Sequence, residues 1–130
     1  MGNNSSQNSI DWIKKASEHE QNATSMLKHR DALPWAVAFF AQQMAELLLK
    51  GLLLFHDIQL KKIHDLLELK TLVLSAEPGI EKLQDDLVML NRYYIEDRYP
   101  GDYPEIVWFE AEQALAAAIR IKEFVLSKIN

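Results

Sequence analysis

Cysteine is absent from this 130-residue chain. That excludes disulfides, thiolate catalysis and cysteine-bound zinc, and it fits a reducing, cytoplasmic setting. Glycine and proline are scarce, four of each, too few for the many turns of an all-β fold. Basic charge is in deficit: 14 Lys and Arg stand against 19 Asp and Glu, for a net −5. A general nucleic-acid coat is therefore disfavoured, because that affinity rests on cations neutralising phosphates. No apolar run is long enough to cross a bilayer. The oiliest, Leu47 to Phe55, is short and broken by Lys50, so no membrane partner is expected. The first residues match the N-myristoylation pattern, but no apolar run follows them as in a signal peptide. Residues 1–8 are read as a disordered polar start. No sequence block repeats at a solenoid period.

What remains is a helical pattern. Apolar content of 48% suffices for one core, so residues 9–130 are read as a single domain. Five helical segments are expected. The first runs from an N-cap at Ser9 to about Arg30, with Trp12, Ala16, Ala23 and Leu27 inward. The second starts near Pro34, ends near Asp57 and is apolar on nearly every face, the mark of a central or interface helix. Gly51 inside it costs about 1 kcal/mol relative to alanine, which points to close approach of another helix. A third, short helix lies near Ile63 to Ser75. A fourth runs from about Ile80 to Asp97 along a stripe of Leu83, Leu87, Leu90 and Tyr94. A fifth begins after a cap at Asp102 and runs to about Lys128. Its alanines make it slim, and Phe109 is expected among its packing contacts. Short connections imply antiparallel neighbours. The expected fold is all-α: an up-down antiparallel four-helix bundle with an extra short helix.

The obvious catalyst on such a bundle is a di-metal carboxylate site, which needs Glu-x-x-His on two helices. The residues three before His19, His29, His56 and His64 are Ala16, Met26, Leu53 and Lys61, so no metal or other cofactor is expected. Phosphate-loop and serine-nucleophile motifs are also missing. His19, between two glutamates, is expected to face solvent.

Two features stand out. Gln43, Glu46 and Lys50 form a polar stripe on the oily second helix, with Glu46 and Lys50 spaced to pair. The tract Arg92 to Pro104 gathers two arginines and four tyrosines at a helix junction. A guanidinium can grip a phosphate and a tyrosine can stack on a base. Between Arg92 and Glu112, however, six acids leave a net of −4. The candidate ligand-binding residues are Arg98, Tyr99, Tyr103, Glu46 and Lys50.

The run Phe39-Phe40-Ala41-Gln42-Gln43-Met44-Ala45-Glu46, followed by Lys50, resembles the second-helix signature of HEPN domains. His64-Asp65-Leu66 resembles that family's His-Asp-Leu step, and Arg92-Tyr93-Tyr94-Ile95 through Arg98-Tyr99-Pro100-Gly101 resembles its Arg-Tyr-Pro segment. The resemblance spans about Trp12 to Val125. It implies a helical bundle that forms a homodimer and binds a nucleotide, RNA or partner protein. It also implies a minimal nucleotidyltransferase as partner in a prokaryotic toxin–antitoxin pair. Ribonuclease members of the family carry an arginine, then four to six residues, then a histidine. Here no histidine follows His64. Histidine titrates near neutrality unaided, whereas tyrosine does not, so the expectation leans away from an enzyme. The alternatives are a weak metal-independent ribonuclease using Arg98 with His64 or Tyr103, and a purely structural dimerisation bundle.

Overall fold

The computed structural model describes residues 2–60, 62–94 and 99–129, with side chains from residue 8 onward. Five α-helices carry it: α1 Gly2–His29, α2 Pro34–Phe55, α3 Leu66–Leu74, α4 Gln84–Asn91 and α5 Trp108–Ile129. Short 3₁₀ turns at Pro78–Leu83 and Pro100–Asp102 lead into α4 and follow it. No strand occurs among the described residues, as the composition requires.

Partner pairs fix the helix directions. Ser9 meets Gly51 and His19 meets Phe40, so α1 and α2 are antiparallel. Glu20 holds Lys122 and Arg30 holds Glu112, so α5 also opposes α1. Asp86 holds Arg120, consistent with α4 opposing α5. α1, α2, α4 (with the 3₁₀ turn that leads into it) and α5 thus alternate in direction. The short α3 departs from the alternation. Its start lies beside Glu46, and the turn beyond its end reaches His56 through Glu77. It therefore runs alongside α2 in the same direction, its start lying back beside the middle of α2.

α2 touches all the other helices. Leu48, Leu49, Leu52 and Leu53 are each 1% exposed or less, which accounts for its lack of a polar face. The slim side of α5 meets it, with Ala111, Ala114, Ala117 and Ala118 fully buried. Gly51 is where α1 comes closest. A Cβ there would lie 3.0 Å from Ile13 Cδ1 and 3.3 Å from the Ser9 carbonyl oxygen. α2 has the length and hydropathy of a membrane span, but 72% of that window is buried inside the protein.

Several boundaries differ from the sequence reading. α1 starts at Gly2, so residues 2–8, expected to be disordered, continue the helix. Once a helix exists, each added residue gains a bond for little further ordering. Ser9 is consequently no cap. It is buried mid-helix, and its hydroxyl donates to the Gly51 carbonyl at 2.8 Å. α4 stops at Asn91 rather than near Asp97. Asn91 turns across to α3, while Tyr93 enters the core and Tyr94 stacks on His64. Those tertiary partners override helix propensity. Asp102 caps a 3₁₀ turn by accepting from the Tyr99 N–H at 3.0 Å. Tyr103, next to Pro104, is extended at φ −72° and ψ 132°, as residues before proline tend to be. α5 therefore waits until Trp108. Phe109 is not a packing residue but lies 66% exposed, with Leu33 and Val107 similarly open. Trp12 is half-buried rather than core.

His19 also departs from expectation. Its ring packs 5.4 Å from Phe40, and its Nδ1 is buried with no hydrogen-bond partner. Burial lowers its pKa from the ordinary 6.5; Lys15 adds to the shift and Glu18 opposes it. A histidine depressed in the folded state stabilises fully above its unfolded pKa. That contribution is lost as pH falls from 6.5 toward the lower folded value. Relative to His19→Phe, the parent chain should lose stability between neutral and mildly acidic pH. Parallel urea-denaturation curves across that range would disprove this.

Candidate functional site

The site is built on the middle of α2. Glu46 is 5% exposed and Lys50 6%, one turn apart on the helix side that faces the incoming α3. Lys50 Nζ donates to Glu46 Oε2 at 2.9 Å. His64 Nδ1 meets the same oxygen at 3.0 Å. Gln42, fully buried, donates to Glu46 Oε1 at 3.4 Å and accepts from Gln43 at 2.7 Å. The carboxylate is thus surrounded by donors, the condition under which a buried charge is tolerated. Trp12 of α1 covers the Lys50 ammonium, with its ring centre 5.8 Å away.

His64 is held on a second side. Its ring stacks on Tyr94 with centroids 5.0 Å apart and planes 15° from parallel. With Nδ1 engaged by Glu46, the Nε2 edge points away from α2, because the two ring nitrogens of an imidazole face divergent directions. The pocket beside it measures about 420 Å³ and is lined by Lys62, Ile63, His64, Asp65, Glu68, Asn91 and Tyr94.

The next residue fixes the frame. Asp65 caps α3, accepting from the Leu67 and Glu68 N–H groups at 2.8 and 3.2 Å. The Asn91 amide donates to the same Asp65 oxygen at 3.3 Å, and the Asn91 carbonyl accepts from Leu66 N–H at 2.9 Å. His64-Asp65-Leu66 is therefore one residue for the polar network, one for the cap and one for the core. Asp65→Ala should cost about 1–2 kcal/mol, since it removes a cap and strands the Asn91 amide. Asp65→Asn should recover much of that loss. Equal melting temperatures for the alanine variant and the parent would disprove the assignment.

The sequence candidates divide into two places. Glu46, Lys50 and His64 come together. Tyr103 does not join them: its ring packs 5.0 Å from Trp35. Trp35 lies eleven residues before Glu46, about 16 Å along the axis. Tyr99 is 78% exposed, facing neither the core nor this pocket's lining. Arg98 lies outside the described residues. Gln42, Asn91, Lys62 and Glu68 were not among the sequence candidates. Gln42 was quoted only within a motif, and Asn91 sits at a helix end with no pattern around it. Tyr94 was assigned to an apolar stripe.

A larger groove of about 570 Å³ between α4 and α5 contains Arg120. Its guanidinium donates from Nη2 and Nε to the two Asp86 oxygens at 2.8 and 2.9 Å, and that pairing raises the arginine's already high pKa. The cation is committed to its neighbour, so the smaller pocket at His64 is the better site. No group of three or more acidic or histidine side chains among the described residues could hold a metal.

Comparison with known proteins bears on the whole arrangement. The family model for the HEPN domain matches residues 9–129. An archaeal HEPN homologue, ST0689, has a crystal structure similar to this one. It is 27% identical, with 94% of this chain and 98% of that chain covered at a TM-score of 0.74. TT1696 from Thermus thermophilus is 35% identical, with 92% of this chain and 97% of that chain covered at a TM-score of 0.72. No curated protein sequence matches. The motifs on α2 and at the start of α3, the five-helix fold and these matches together place the chain in the HEPN domain family.

Proposed function

We propose that this HEPN domain is a recognition module that binds a nucleotide or an RNA end in the pocket at His64. The observation that carries this reading is the His64 ring itself. It is fixed by a buried carboxylate on one edge and a stacked tyrosine on one face, beside a polar pocket of about 420 Å³. Pre-fixed polar groups in a concave site of this size suit a small ligand. Arg98, four residues after Tyr94 and one before Tyr99, is in this reading one cation for the phosphate, alongside any in the pocket lining. Calorimetric titration with nucleoside monophosphates tests it, using the parent chain, His64→Ala and Arg98→Ala. Binding weakened at least tenfold in both variants is the expected result. Binding unchanged in both removes the site.

One observation favours a second reading, a weak metal-independent ribonuclease. A carboxylate 3.0 Å from an imidazole nitrogen orients the ring and fixes its tautomer, the arrangement used by general bases. Cleavage of RNA in chelator, lost in His64→Ala and in Arg98→Ala, would establish it. Tyr103 has no place in that reading because it packs at Trp35.

The partner reading follows the family resemblance: a homodimer working beside a minimal nucleotidyltransferase in a prokaryotic toxin–antitoxin pair. Exposed Leu33, Val107 and Phe109 supply apolar surface for a protein contact. A monomeric mass in solution at micromolar concentration would argue against the homodimer.

A further inference from the structure

We infer that the pocket at His64 selects guanine among the bases and takes its nucleotide with the phosphate at Lys62 and the base edge at Glu68. This rests on the proposed nucleotide reading and adds which nucleotide it is.

The argument begins with which lining groups are already engaged. Asp65 Oδ1 accepts three hydrogen bonds, and its charge lies at the N-terminus of α3, where the helix dipole favours an anion. Asn91 uses its carbonyl on Leu66 and its amide on Asp65. His64 Nδ1 is taken by Glu46. Two charged side chains of the lining remain without a hydrogen bond or ion pair: the Lys62 ammonium and the Glu68 carboxylate. Both are exposed.

The pocket is therefore bipolar. Lys62 and His64 lie on the segment entering α3, and Glu68 lies in its first turn. A phosphate belongs at the cationic end, since the Lys62 ammonium offers three donors. At the other end Glu68 is an acceptor-only group with two oxygens. Guanine alone presents two adjacent donors on its Watson–Crick edge, N1–H and the N2 amino group, which match a carboxylate in a bidentate way. Adenine and cytosine place a ring acceptor beside their amino donor, and uracil flanks its single N–H with carbonyls. Each would set a lone pair against the carboxylate. A good bidentate pair to a base gives about 1–3 kcal/mol of discrimination. Solvent around Glu68 places it at the low end, about tenfold.

The test uses the whole chain and calorimetry with GMP, AMP, guanosine and a 5′-phosphorylated oligoribonucleotide beginning with G. GMP should bind about tenfold tighter than AMP. Glu68→Gln, which replaces one acceptor with a donor, should abolish or reverse that preference, weakening GMP and tightening AMP, whose N1 acceptor and N6 donor match an amide. Lys62→Ala should weaken GMP but not guanosine. The oligonucleotide binding more tightly than GMP would identify an RNA end as the source of the guanine; GMP binding equally or more tightly would identify the free nucleotide. Equal affinity for GMP and AMP, or a preference that survives Glu68→Gln, overturns the inference. If His64→Ala still abolishes binding, the site reading stands without it. Absence of all nucleotide binding, or binding indifferent to His64→Ala, overturns both.

Discussion

Glu46→Ala should lower stability by about 3–5 kcal/mol, the usual cost of removing one partner from a buried ion pair. Its carboxylate and the Lys50 ammonium are 2.9 Å apart, with side chains only 7% and 8% exposed. Removing the carboxylate leaves Lys50 charged, buried and without its anion. Gln42 and His64 lose an acceptor in the same step. Lys50→Met should cost less, because Glu46 keeps the His64 and Gln42 donors. The double change Glu46→Leu with Lys50→Met should recover much of that loss, since it leaves no unpaired buried charge. It should stay about 1–2 kcal/mol below the parent, because the buried Gln42 amide still lacks its acceptor. Urea midpoints for the four proteins measure this. A single Glu46→Ala as stable as the parent would mean that Lys50 escapes to water.

Gly51→Leu should cost about 3 kcal/mol or more, because the extra atoms enter space already filled by α1. The nearest neighbours are a side-chain methyl of Ile13 at 3.0 Å and the Ser9 carbonyl oxygen at 3.3 Å. The methyl can move, but backbone yields less readily. The same displacement would strain the buried Ser9 hydroxyl bond to Gly51. Gly51→Ala is a finer probe. It gains about 1 kcal/mol of helix propensity and loses a comparable amount to crowding, so its net effect should be small. In an Ile13→Val background, which lacks the Cδ1 methyl, the same alanine should be stabilising. If leucine at 51 left the urea midpoint unchanged, α1 would not pack there.

The long elements were legible because their signals are periodic and redundant. Pro34 and the leucine run specify α2, and the alanines of α5 specify its close packing. Gly51 gave away a close approach, and the Glu46–Lys50 spacing gave their pairing. The junctions were less legible. α4 ends at Asn91 and α5 starts at Trp108 because of partners distant in sequence or a local turn: Leu66 for Asn91, His64 for Tyr94, and Tyr99 for Asp102. No periodicity encodes those. The site shows the same division. Its charged pair follows from spacing on one helix, while its union with His64 depends on a chain reversal that places the start of α3 back beside Glu46. His19 misled because flanking glutamates suggested water, whereas helix geometry turned its ring onto Phe40.

The central position of α2 has a consequence for hydrogen exchange. A helix covered by four others releases its amide protons only when the whole molecule unfolds, so exchange across Val37–Leu53 should report global stability. α3 is a nine-residue helix held at its start by Asp65 and Asn91, and it can open as a smaller unit. The pocket's lining lies outside α2, with His64 and Glu68 at or beside the start of α3, and it reaches the slow helix only through the His64–Glu46 bond. A ligand seated there would therefore slow exchange in α3 far more than in α2, making the shorter helix the sensitive reporter of occupancy.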